Sequence, residues 1–293
     1  MFRGSMVAMV TPFREGKVDN SALDRLVDRH LAAGTDALVP CGTTGESPTL
    51  SQEEHAAVIA RVIERAAGRV PVIAGTGTND TAETLRRTEQ ARQAGAAAAL
   101  IVTPYYNKPT QEGLYRHYAH VAERSELPIV LYNVPSRTGV ELSVATIARL
   151  HQRYKHIVAV KHATGSVDSA SELSLASDID IISGDDSLTL PLMALGAVGV
   201  ISVIANLVPE QVKQLTAAAL AGDWPTALQM HRKLYPLGKG MLSLATNPLP
   251  IKTAMAMSGL IAEEFRLPLC PMDEQPKSKL RALLAESGLL TQT

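Results

Sequence analysis

Apolar, largely β-branched runs recur along the chain at 5–10, 37–39, 70–74, 99–102, 129–132, 157–160, 179–182 and 198–203, and segments of helical period lie between them. A strand that is apolar at every position has to be buried on both faces, as in a parallel sheet covered by helices. Parallel neighbours also need a crossover, and a helix is the usual one. Eight such units predict an α/β fold, and eight is the number that closes a (β/α)8 TIM barrel. A doubly wound open sheet is the competing architecture. It usually carries a glycine-rich phosphate turn, and Gly75-Thr76-Gly77-Thr78-Asn79-Asp80 lacks the third glycine that such a turn needs.

The helices have their own signals. Leu23, Leu26, Val27, His30 and Leu31 fall on one helical face. Ser51 and Glu54 have capping-box spacing, with Gly68 as the stop. Asp80 with Glu83 repeats the start and Gly95 the stop, and Pro209 suits a first turn running towards Gly222. After Asp223 the strand signal ends. Segments 225–245, 249–262 and 276–289 read as helices, so the expected organisation is a barrel over 1–223 and a C-terminal helical extension over 224–293.

Composition excludes several classes. A net charge of −1 gives no reason to expect nucleic acid or an anionic membrane as partner. The first ten residues hold one basic residue and too short an apolar run for a signal peptide. The apolar region 188–208 is broken by Pro191, Gly196, Gly199, Ser202 and Asn206, so it reads as helix, turn and strand rather than a membrane span. Two cysteines, Cys41 and Cys270, make no disulfide framework and suit a reducing cytoplasm. Cys41 reads as a small buried hydrophobe.

In a barrel of this kind, chemistry gathers at the C-terminal ends of the strands. The sixth run ends in Lys161, where a core residue is expected. Burial disfavours an ammonium, and a neutral amine is a nucleophile towards carbonyls. The fifth run ends in Tyr132, which would stand on the neighbouring strand about 5 Å away. A phenol there can donate and accept protons as a carbinolamine becomes an imine. Thr43, after the second run, can hydrogen-bond that phenol. Arg137 follows the fifth run in a loop over the same face and suits a carboxylate through its planar fork. His117 and His120 have metal-ligand spacing but no acidic or thiol partner nearby, so they read as packing or surface residues. Asp185-Asp186 after the seventh run is weak evidence for a cation.

Gly42-Thr43-Thr44-Gly45-Glu46, Tyr132-Asn133-Val134-Pro135-Ser136-Arg137-Thr138-Gly139, the Lys161 strand and Thr246-Asn247-Pro248-Leu249-Pro250-Ile251-Lys252 resemble the dihydrodipicolinate synthase family, over essentially the full length. This family lies within the pyruvate-aldolase barrels that include N-acetylneuraminate lyase. The paired threonines and the Ser-Arg-Thr-Gly segment resemble the synthase side. The resemblance implies a lyase condensing pyruvate with L-aspartate 4-semialdehyde for lysine and diaminopimelate synthesis, without metal or organic cofactor. It implies a Schiff base on Lys161 and a proton relay of Tyr132, Thr43 and Tyr106, the last from a neighbouring subunit of a homotetramer. Thr44 and the backbone of Gly184 and Ile201 would place pyruvate or the relay, and Arg137 would take the semialdehyde carboxylate. It further implies L-lysine feedback at Ser47, Pro48, Gln52, His55, Asn79, Glu83 and Tyr105, with Glu83 suited to an ammonium. His162 departs from the family, which more often has Glu there; strand alternation should turn it away from Lys161. The alternatives are a related Schiff-base pyruvate aldolase of the N-acetylneuraminate lyase kind and a non-catalytic ligand-binding barrel.

Overall fold

The computed structural model describes residues 2–290. Eight parallel strands form one sheet: β1 (Gly4–Ala8), β2 (Ala37–Val39), β3 (Ile73–Gly75), β4 (Ala98–Val102), β5 (Ile129–Asn133), β6 (Ile157–His162), β7 (Asp180–Ser183) and β8 (Gly199–Ser202). Each strand pairs with its sequence neighbour except at β2 and β3, and β8 pairs with β1. The seam between β2 and β3 is closed by a bridge from Leu38 to Val72, with the Leu38 N–H donating to the Pro71 carbonyl at 3.0 Å. The sheet is therefore a TIM-type barrel.

β3 starts at Ile73, later than the apolar run beginning at Val70 suggests. Pro71 has no N–H to give to a ladder, so regular pairing starts beyond it. A hairpin that the alternation did not reveal joins Phe13–Arg14 to Lys17–Val18. Its two turn residues, Glu15 and Gly16, both have positive φ (54° and 75°), as a tight two-residue connection requires.

Alternation along the strands divides the core into two layers. Met6, Ala8, Val39, Leu100, Val130, Ala159, Ile182 and Ile201 fill the barrel interior. Val7, Leu38, Ile101, Leu131, Val160 and Val200 face outwards and meet the helices. Helix Asn20–Ala32 buries Leu23, Leu26, Val27 and His30, four of the five residues on the face read from sequence. Each such apolar side chain contributes about 1.5–3 kcal/mol of burial. Ser51 and Glu54 form the full reciprocal capping box of helix Gln52–Ala66. Asp80 caps helix Thr81–Ala94, and Gly95 ends it in the left-handed conformation at φ 93°.

The extension has helices Trp224–Leu244, Leu249–Met257 and Glu274–Glu286. The first packs on helix Pro209–Leu220, and the third packs on the first two. The second ends at Met257, short of residue 262, because the chain turns at Gly259 with φ 70°. Region 188–208 folds as helix Thr189–Ala194, then β8, then a single 3-10 turn. Among the described residues, no helix is long and apolar enough to cross a membrane.

Candidate active site

The register of β5 against β6 pairs Tyr132 with Lys161. Val130 and Ala159 face the barrel interior, so two residues further along Tyr132 and Lys161 do too. Lys161 Nζ lies 4.2 Å from the centre of the Tyr132 ring. Lys161 is only 5% exposed and makes no ion pair among the described residues. The face of the Tyr132 ring packs against it as a cation–π partner. His162 faces the helices, as alternation requires: its Nε2 is 3.3 Å from both Ser169 Oγ and Thr164 Oγ1. Burial alone lowers its pKa.

Two carboxyls follow β7. Burial raises the pKa of both Asp185 and Asp186, and the charge of Lys161 acts in the opposite direction. Asp186 is committed to the turn after β8, accepting from Ser202 Oγ at 2.5 Å and from the Val203 and Ile204 N–H groups at 3.0 and 3.1 Å. It serves as a tie between loops. Gly184 donates to the His162 carbonyl at 2.8 Å, and a Cβ there would come 2.6 Å from the Ala163 Cβ. Only glycine lets this loop pass so close to β6. Ile201 is fully buried in the inner layer, paired with Met6 of β1.

The loop after β2 carries the threonines. Cys41 opens it with φ 57°, and burial pushes its thiol up to about 12, the behaviour of a packing residue. The Glu46 N–H donates to the Thr43 carbonyl at 3.1 Å. Thr44 is buried, and its Oγ1 accepts from Asn247 Nδ2 at 3.0 Å. Glu46 closes the loop at φ 51° with its side chain wholly buried. One carboxylate oxygen accepts from Lys252 Nζ, itself wholly buried, and the other from the Arg266 N–H at 3.2 Å. Lys252 Nζ also stands 4.3 Å from the Phe13 ring centre. The C-terminal extension thus holds the threonine loop through a sealed ion pair and a side-chain amide.

A cavity of about 440 Å³ opens over these elements. Thr43, Tyr132 and Arg137 line it. So do Ser47, Pro48, Asn79, Glu83 and Tyr105, five of the seven residues expected to receive lysine. The other two are not among its lining residues. Gln52 is exposed at the start of its helix. His55 is buried, with Nε2 2.8 Å from the Gly75 carbonyl oxygen, and desolvation lowers its pKa to about 4. Arg137 Nη2 donates to the Asn247 carbonyl at 3.1 Å. Tyr106 stands apart: it is 88% exposed, has φ 73° and does not line its own chain's cavity. His117 packs as expected, with Nδ1 2.9 Å from Thr81 Oγ1.

Sequence reasoning passed over Lys252, Glu46, Arg266 and Arg87 as individuals. Glu46 and Lys252 both lie in the segments that carry the family resemblance, and a charge inside an otherwise apolar run, as Lys252 is, signals a buried partner. Arg87 gave no such signal, because arginines at helical spacing are ordinary surface residues.

The family model described as "Dihydrodipicolinate synthetase family" matches residues 1–287. A curated relative named 4-hydroxy-tetrahydrodipicolinate synthase, from Geotalea daltonii, is 54% identical over 292 residues, covering 99% of this chain and 100% of its own. The structure titled as a chloride-inhibited dihydrodipicolinate synthase from Acinetobacter baumannii complexed with pyruvate superposes with TM-score 0.96 at 46% identity, covering 99% of this chain and 100% of that one. The structure titled as the enzyme from Cyanidioschyzon merolae with lysine bound gives 0.94 at 34% identity, covering 99% of each chain. With nearly the whole chain matched in sequence and in fold, the protein belongs to the dihydrodipicolinate synthetase family.

Proposed function

We propose that the protein condenses pyruvate with L-aspartate 4-semialdehyde to 4-hydroxy-tetrahydrodipicolinate, with Lys161 as the nucleophile. The Lys161 amine adds to the pyruvate ketone, and loss of water leaves an imine. The imine draws electrons from the methyl carbon, which gives up a proton and becomes an enamine. That carbon attacks the aldehyde, forming the new C–C bond, and the amine of the semialdehyde displaces Lys161 as the ring closes. Tyr132 carries protons at the carbinolamine, and Thr43 passes them on. Thr44, the Gly184 turn and Ile201 hold the ketoacid end, and Arg137 takes the carboxylate of the second substrate. Tyr106 completes the relay of a neighbouring subunit in a homotetramer. The reaction belongs in the cytoplasm.

The observation that carries this reading is Lys161: buried, in no ion pair among the described residues, and 4.2 Å from a tyrosine ring. The family membership and the pyruvate-bound relative support it. Borohydride reduction in the presence of pyruvate should leave a pyruvyl adduct on Lys161 by peptide mass mapping. No adduct would leave a ligand-binding barrel. A coupled assay with aspartate semialdehyde then separates this synthase from an aldolase that accepts another aldehyde.

Feedback by L-lysine is the second element of the proposal. Five of the expected contact residues line the same cavity as Thr43, Tyr132 and Arg137, and a relative with lysine bound supports lysine as a ligand. The expected effect is partial, weak inhibition.

A further inference from the structure

Asn247 touches two parts of the site at once. It lies just before helix Leu249–Met257 of the extension and meets the threonine loop across 203 residues of chain. Its Nδ2 donates to Thr44 Oγ1 at 3.0 Å, and its backbone carbonyl accepts from Arg137 Nη2 at 3.1 Å. Both Asn247 and Thr44 are buried.

The Asn247 amide has a single protein partner. Its Oδ1 is buried with no donor among the described residues, so the amide acts through Thr44. A threonine hydroxyl carries one proton to give and lone pairs that accept. The amide fills the accepting side, and the Thr44 proton has no acceptor among the described residues. The backbone N–H groups of Thr43 and Thr44 have none either. Two successive N–H groups and a hydroxyl proton, all unspent, suit one carboxylate. With the amide turned over, its Oδ1 would take the Thr44 proton and remove that donor from the set.

We propose that Asn247 is a positioning residue for the ketoacid, whose amide keeps the Thr44 hydroxyl a donor towards the pyruvate carboxylate. Its carbonyl holds Arg137 independently of the side chain. The proposal rests on the reading of Lys161 as the Schiff-base lysine, and the wild-type protein in the experiment below tests that reading by itself.

The test is reductive trapping with cyanoborohydride, which reduces imines and spares free ketones. Mass spectrometry of the full-length protein reads the adduct on Lys161 at graded concentrations of pyruvate and of hydroxyacetone, a methyl ketone without a carboxylate. Both should label the wild type. Asn247→Ala should raise the pyruvate concentration for half-labelling about three- to tenfold, the effect of one hydrogen bond, and leave hydroxyacetone within about twofold. KM for the semialdehyde should stay within about threefold, because alanine retains the carbonyl that holds Arg137. Thr44→Val should show the same pyruvate-selective loss. Adding Asn247→Ala to it should cost less than about twofold more, because the two changes break one link. Asn247→Ser, whose hydroxyl is too short to reach Thr44, takes the place of Asn247→Ala if that variant does not fold. Equal losses for the two ketones would make Asn247 a purely structural residue and overturn the proposal. Unchanged pyruvate labelling, additive losses in the double variant, or a loss confined to the semialdehyde would overturn it as well. A wild type that gains no pyruvyl adduct overturns the reading of Lys161, and the proposal with it.

Discussion

Tyr132 and Lys161 occupy paired positions near the C-terminal ends of adjacent strands, with Nζ 4.2 Å from the ring centre. The ring packs against the amine, so the phenol is set within the same small volume. On the proposed roles, Tyr132→Phe keeps this packing and loses only the hydroxyl. Its turnover should fall about 10²–10⁴-fold, the range for general acid–base catalysis. Lys161→Ala should lose several orders of magnitude with the fold intact by circular dichroism. A wild-type kcat in Tyr132→Phe would remove the phenol from the relay.

Arg137 is exposed, and its guanidinium is held towards the cavity by the Asn247 carbonyl at 3.1 Å. Arg137→Ala should raise KM for the semialdehyde far more than KM for pyruvate. Steady-state kinetics with each substrate varied in turn reads the difference. Equal effects on both would argue against a carboxylate contact with the second substrate alone.

Tyr106 is 88% exposed and lies off its own cavity. If it serves a neighbour, mixed oligomers of Tyr106→Phe and Lys161→Ala chains should regain activity that neither variant has alone. Some sites in the mixture then receive both intact residues. Verified mixed dimers without activity would assign Tyr106 to its own subunit.

The Glu46–Lys252 pair is wholly buried on both sides. Lys252→Met removes the cation and leaves a carboxylate sealed from water. That should cost about 3–5 kcal/mol of stability, the usual penalty for breaking such a pair. Combining it with Glu46→Gln should recover much of the loss, because no charge is then buried. Urea midpoints of the two variants decide it: equal midpoints would mean that Glu46 is not stranded by the loss of Lys252.

Among the described residues, His30, His55 and His117 are the buried histidines that most strongly resist protonation. Burial lowers His30 to about 3, and His55 and His117 to about 4, from an ordinary value of 6.5. Between those values the unfolded chain binds more protons than the folded one. Stability from these groups is therefore complete above pH 6.5 and falls as the pH drops towards 4. Thermal midpoints should decline over that window, and His117→Asn should flatten part of the slope. A midpoint rising on acidification through the same window would contradict the buried neutral state.

Much of the architecture was legible in the residues themselves. Strands buried on both faces have to be apolar throughout, and the eight runs that show it are the eight barrel strands. Ser51 with Glu54 and Asp80 with Gly95 mark helix ends, because capping is chemistry between near neighbours in the chain. Lys161 and Tyr132 were found the same way: each ends an apolar run, and barrel topology makes those ends neighbours. What sequence spacing does not carry is which distant charges meet. Glu46 and Lys252 are 206 residues apart, and only the packing of the extension on the barrel brings them together. The fate of Glu83 was decided locally but not by one residue type. Its carboxylate suits an ammonium on paper, and the folded helix turns Arg86 and Arg87 onto it instead. Gln52 and His55 are close to Ser47 and Pro48 in the chain, yet helix phase puts one in solvent and the other in the core. The periodic pattern of apolar residues, a local property, determined the fold and the floor of the site. The tertiary structure decided the electrostatics of its walls, because charge pairing depends on distances that only the folded chain sets.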